Sequence, residues 1–203
     1  MRLAPIVEGL ALLGFTFAVA YGLGISTLWL VVPVLWLTWR GRRIEDYGLQ
    51  RGRPCGAAFH AVMVLGVFVP YMIGHYLFAH LLWGATFVPR LPDDMAWAVV
   101  EHVLLIALPE EVFFRGYLQT QLDKASPRRW RVMGAGFGVG LPLAALLFGA
   151  CHILNGGPGR LITAFPGIWY GWLRARTDSI RVPTIYHAAS NLLMKFMVAS
   201  LVP

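Results

Sequence analysis

The sequence predicts an all-α fold, a polytopic membrane helix bundle of about seven transmembrane helices. Three observations lead there. Hydrophobic residues make up 58% of the 203 and charged residues only 13%, against roughly 25% charged in an ordinary soluble domain. Mean hydropathy is +0.63. The basic residues fall between the apolar stretches rather than within them. A soluble globule has too few charges here to cover its core, and the same composition excludes a disordered chain.

The apolar stretches run over about 5–22, 24–39, 55–83, 95–121, 132–154, 161–174 and 181–201, to be compared with the roughly 20 residues a spanning helix needs. The second and sixth are short. The third and fourth are long enough to tilt or to project beyond the bilayer. Residues 1–39 read as an N-terminal transmembrane hairpin and 40–203 as the core of one membrane domain. Arg2, an apolar run and Ala18-Val19-Ala20 have the outline of a signal peptide, but Glu8 inside the run favours an uncleaved first helix.

The charges give an orientation. Of the 17 basic residues, all but Arg90, Arg115, Arg160 and Lys195 share one side if the seven spans simply alternate. The positive-inside rule makes that side cytoplasmic, with the N-terminus inside and the C-terminus outside. The expected location is the inner, or plasma, membrane of a bacterium. The net charge of +7 is thereby accounted for without nucleic acid, and no basic face interleaved with aromatics suggests such a partner. Two cysteines, Cys55 and Cys151, exclude a disulfide framework.

Ionisable groups inside spans are costly and mark function by default. Glu8 and Glu101 lie within two turns of a membrane face and can reach water. Lys195 can snorkel or pair. His60, His75, His80 and His102 show no ligand spacing and read as ordinary core histidines. The run Glu110-Glu111-Val112-Phe113-Phe114-Arg115-Gly116 is different. Consecutive helix residues diverge by about 100°, so the two acids face different neighbours. Glu111 and Arg115 have the favourable order for an i,i+4 ion pair. Glu110 is left without a cation, on the face of Phe113, Phe114 and Tyr117, as suits general acid–base work. Pro109 is expected to kink the helix just before it.

Two more pairs lie on single helix faces, Phe148 with His152 and His187 with Asn191. Gly149 and Gly116 would permit close helix approach and help bring the fourth, fifth and seventh spans together. Counted from the predicted faces, His187 lies roughly 9 Å from the cytoplasmic end and His152 roughly 30 Å. They meet only if the helix breaks within Gly134–Pro142 or the last span starts later, and both alternatives stay open.

The ordered set Glu-Glu-x-x-x-Arg, Phe-x-x-x-His and His-x-x-x-Asn, carried by Glu110 to Arg115, Phe148 to His152 and His187 to Asn191, resembles the CPBP family. These are the CAAX-protease and bacteriocin-processing (Abi) intramembrane endopeptidases, among them the Ras-converting type. Ile44-Glu45-Asp46-Tyr47-Gly48-Leu49 is similar to the loop preceding that family's core. The resemblance implies a glutamate-type endopeptidase cutting near a membrane-associated or C-terminal segment. Glu110 and His152 would activate water, and His187 and Asn191 would stabilise the oxyanion. Glu111 and Arg115 would orient Glu110, with Phe148 in support. The implied partners are the bilayer and a protein or peptide with a membrane-associated tail. Prenylated tail, bacteriocin leader and sorting helix, the last as in the myxosortase branch, all stay open.

Other readings remain. No cofactor is implied, but Glu110, His152 and His187 could supply a zinc site with an open position, although no His-Glu-x-x-His is present. A non-catalytic scaffold or immunity protein of the same fold would not need all four polar residues. A small transporter would use buried Glu and His too, but no inverted repeat is seen. Cys151 does not face His152 and is read as a small apolar residue.

Overall fold

The computed structural model describes residues 2–202. Its seven helical segments follow the seven apolar stretches in order: α1 Leu3–Leu23, α2 Leu28–Trp39, α3 Ala57–Trp83, α4 over 95–124, α5 Gly140–Gly156, α6 Ala164–Thr177 and α7 Arg181–Ser200. The fold is all-α. By length and hydropathy α1 and α3 are suited to cross a membrane. Short 3-10 turns precede α3 (Ile44–Tyr47) and α6 (Pro158–Thr163). Two-residue strands β1 (Thr86–Phe87) and β4 (Leu201–Val202) pair antiparallel and tie the far ends of α3 and α7.

The fifth stretch begins later than expected. Residues 132–138 are not helical. Strands β2 (Arg129–Val132) and β3 (Ala135–Gly138) form an antiparallel hairpin, with Met133 and Gly134 at positive φ in its turn. Glycine-rich sequence is apolar enough to extend a hydropathy plot but lacks helix propensity. α5 therefore starts at Gly140, whose N–H donates to Asp123 Oδ1 at 2.7 Å. That shortens the path to His152 and removes its depth conflict with His187.

α4 is the central element. Its α-helical pieces alternate with π-helical turns at Glu101–Ala107 and Val112–Leu118. The helical conformation continues through Pro109. Pro109 offers no N–H to the carbonyl of Leu105, and the hydroxyl of Ser26 donates to that carbonyl at 2.5 Å instead. The π turns shift the faces. Phe113, Phe114 and Tyr117 do not share Glu110's surroundings but point into the core with Leu13, Leu37 and Leu118. Trp29 meets Phe113 edge-on at 4.8 Å. Burying each such ring contributes about 1.5–3 kcal/mol.

Glu8 departs from expectation too. It does not reach for bulk water but accepts from Trp36 Nε1 (2.9 Å), Arg42 (2.5 and 2.7 Å), Tyr117 Oη (3.1 Å) and Gln121 Nε2 (2.7 Å). These donors come from α2, the following loop and α4. A carboxylate inside an apolar helix is stable when each lone pair is matched in this way. Lys195 pairs with Asp94 at 2.6 Å, and this ammonium holds the Asp94 carboxyl below its ordinary range. His60 bonds Tyr186 Oη at 2.8 Å.

The close approaches differ from those expected of Gly116 and Gly149. A Cβ on Gly116 would lie 2.9 Å from the Tyr47 carbonyl, so the loop before α3 packs against it. A Cβ on Gly149 would lie 2.9 Å from Ala164 Cβ. That close pair joins α5 to α6 rather than to α7.

Candidate active site

Glu111 and Arg115 form an ion pair at 3.1 Å with side chains 0% and 1% exposed. The guanidinium lies 4.3 Å from the Phe148 ring centroid and 5.3 Å from that of Tyr170, and it donates to the Gly167 carbonyl at 3.3 Å. Phe148 is thus a wall for the cation, a cation–π contact strengthened by exclusion of water. Gly167 leaves room for Arg115: a Cβ there would stand 3.2 Å from the guanidinium.

Glu111 has a second partner that the spacing did not disclose. His187 Nδ1 donates to Glu111 Oε1 at 2.9 Å, and its ring stacks on Tyr170 at 4.8 Å. With Nδ1 engaged, Nε2 faces the other acid, 3.7 Å from Glu110 Oε2. That separation is too long for a hydrogen bond. The consecutive acids therefore address opposite sides of one imidazole.

His152 is held by its own helix. Nδ1 bonds the Phe148 carbonyl at 2.8 Å, and the ring packs 4.4 Å from that of Phe148. A carbonyl only accepts, so the proton sits on Nδ1 and Nε2 is left as an acceptor.

Glu110, His152, His187 and Asn191 line one cavity of about 440 Å³, together with His102, Ile106, Arg160, Met194 and Lys195. Among the described residues Glu110 Oε2 has no hydrogen-bond partner. α4, α5 and α7 thus each contribute to it. The supporting residues Glu111, Arg115 and Phe148 are packed behind the cavity and do not line it. His102 reads as a core residue in the sequence but lines the cavity. Its signal was the eight-residue interval to Glu110, two helical turns along one face. Cys151 packs at the edge of the core. Among the described residues no three His, Cys, Asp or Glu side chains converge as metal ligands.

Such a site joins a half-buried carboxylate with a free oxygen, an imidazole acceptor, a buried carboxylate-bound imidazole and a neutral amide. Comparison with curated proteins and with solved structures gives no match. The family model described as "Type II CAAX prenyl endopeptidase Rce1-like" matches residues 92–193, about half of the chain, and that stretch holds Glu110, His152, His187 and Asn191 with their buried support. The chain belongs to this Rce1-like family of membrane-embedded CAAX-type proteases.

Proposed function

We propose that the chain is a glutamate-type intramembrane endopeptidase that hydrolyses a peptide bond near a membrane-associated or C-terminal segment of a protein. The observation that carries this is the convergence of Glu110, His152, His187 and Asn191 on one cavity. A water between Glu110 and His152 Nε2 loses a proton to Glu110 as its oxygen attacks the scissile carbonyl. The oxyanion accepts from His187 Nε2–H and the Asn191 amide. Glu110 then passes its proton to the leaving amine. In this reading His187 donates through both ring nitrogens, Nδ1 to Glu111 and Nε2 to the oxyanion. Glu111 and Arg115 act as positioning residues. All seven helices cross the inner membrane in this reading, with the arginine-rich loops in the cytoplasm.

The test is proteolysis by purified protein in detergent, wild type against Glu110→Gln, with and without a strong chelator. The substrates are prenylated tripeptide-tail and transmembrane-tail peptides. Wild type cleaves, Glu110→Gln loses about 10²–10⁴-fold, and chelation changes nothing. Equal cleavage by both proteins would overturn the role of Glu110. Loss on chelation restored by zinc would transfer the chemistry to a metal on Glu110, His152 and His187.

A further inference from the structure

We infer that the active-site cavity opens on the membrane face opposite the arginine-rich loops, so that the polypeptides cut here are exported segments reached from outside the cytoplasm. What is cut rests on the protease reading above; where the cavity opens does not.

The burial pattern of α4 carries the argument. From Val99 to Ile106 no residue is buried, whereas from Glu111 to Gln119 every residue is. Glu110 sits at the change. Above it, Ile106 and His102 follow at intervals of four toward the Met95 end, and both line the cavity. On α7, His187 and Asn191 are followed at the same spacing by Lys195, toward the Ser200 end. Two lining stripes thus run from the reactive groups in one direction. They end together, because Lys195 bonds Asp94 just before α4 and β1 pairs with β4 at that same end. Arg160, in the turn after α5, completes the lining on this side. A cavity walled by His102, Arg160 and Lys195 is wetted rather than filled by lipid.

The other end is packed shut. The Tyr47 carbonyl lies against Gly116, and Ile180 N–H donates to the Gly48 carbonyl at 3.0 Å. Gln50 and Ser179 link the same loop to the start of α7. Here too lie Arg42, Lys124, Arg128, Arg129, Arg174 and Arg181. An excess of Arg and Lys in short loops marks the cytoplasmic side. The closed end is therefore cytoplasmic and the open end is not.

The test needs no substrate. The full chain, with Cys55→Ser and Cys151→Ala, carries a single new cysteine and is expressed in bacteria. Met194→Cys and Arg160→Cys report the cavity, and Val132→Cys in the β2–β3 hairpin reports the closed end. A membrane-impermeant maleimide is applied to spheroplasts and to inverted vesicles. Either cavity cysteine is labelled in spheroplasts, and Val132→Cys only in inverted vesicles. Labelling of both cavity cysteines only in inverted vesicles, or on neither side, would overturn the inference. The readout is a mass shift, so the answer stands even if no peptide is ever cut.

Discussion

His187 and Glu111 are joined by a buried hydrogen bond of 2.9 Å, Nδ1 to Oε1, while the same ring turns its Nε2 toward Glu110. One acid holds the imidazole and its neighbour faces the reacting space. Glu111→Gln keeps the shape and removes the charge. We expect kcat to fall about 10²-fold or more with KM little changed, as when a histidine-orienting acid is lost. Steady-state proteolysis, with the unfolding temperature in detergent as a control, separates this from misfolding.

Arg115→Ala is expected to act on stability. It leaves Glu111 buried with no guanidinium and opens a gap between Phe148 and Tyr170. Breaking a buried pair by removing one partner costs about 3–5 kcal/mol. Thermal unfolding should show the loss, and Glu111→Gln combined with Arg115→Met should recover part of it. No recovery in the double variant would count against a charge origin.

Asn191→Ala removes an amide that lines the cavity. Loss of an oxyanion donor costs about 10²–10³-fold in kcat. The unfolding temperature should not move, since among the described residues no hydrogen bond depends on this side chain. A change in KM alone would instead make Asn191 a substrate-binding residue.

Glu8→Ala strands Trp36, Tyr117 and Gln121 as donors and frees Arg42. Each stranded buried group costs about 1–3 kcal/mol. A lowered unfolding temperature, with activity of the folded fraction preserved, is the expected outcome.

Asp123 lies just beyond the fourth apolar stretch, and burial holds its carboxyl above the ordinary range. Its proton is therefore bound more tightly in the folded state than in the unfolded one. The corresponding stability is present in full at acid pH and is lost as pH rises through the folded value. Asp123→Asn keeps an acceptor for Gly140 N–H and should flatten the slope of unfolding temperature against pH across the mildly acid range.

Much of this arrangement was legible in the chain. Helix positions followed from apolar length and from the arginines between stretches. The Glu111–Arg115 pair followed from i,i+4 geometry. What stayed hidden depends on contacts between elements. Nothing in the spacing of Glu111 and His187 shows that they touch across 76 positions. Hydropathy cannot separate the β2–β3 hairpin from a helix, because glycine and valine score as apolar in either. The partners of Glu8 lie on α2, a loop and α4, and His102 gained meaning only once its stripe was seen to end at Glu110.

The change in packing along α4 is spread over Ala107 to Glu111, with Glu110 the last residue left partly exposed, and that amounts to a dielectric gradient. Glu110 stands on the polarisable side, where water can reorganise around a new charge. Glu111 and Arg115 stand on the stiff side, where their dipole is fixed before any substrate arrives. Field from that dipole spreads with little screening toward the cavity, because the medium behind it cannot respond. Substitutions one position apart should therefore report different quantities: at 111 the strength of a standing field, and at 110 the proton that moves within it.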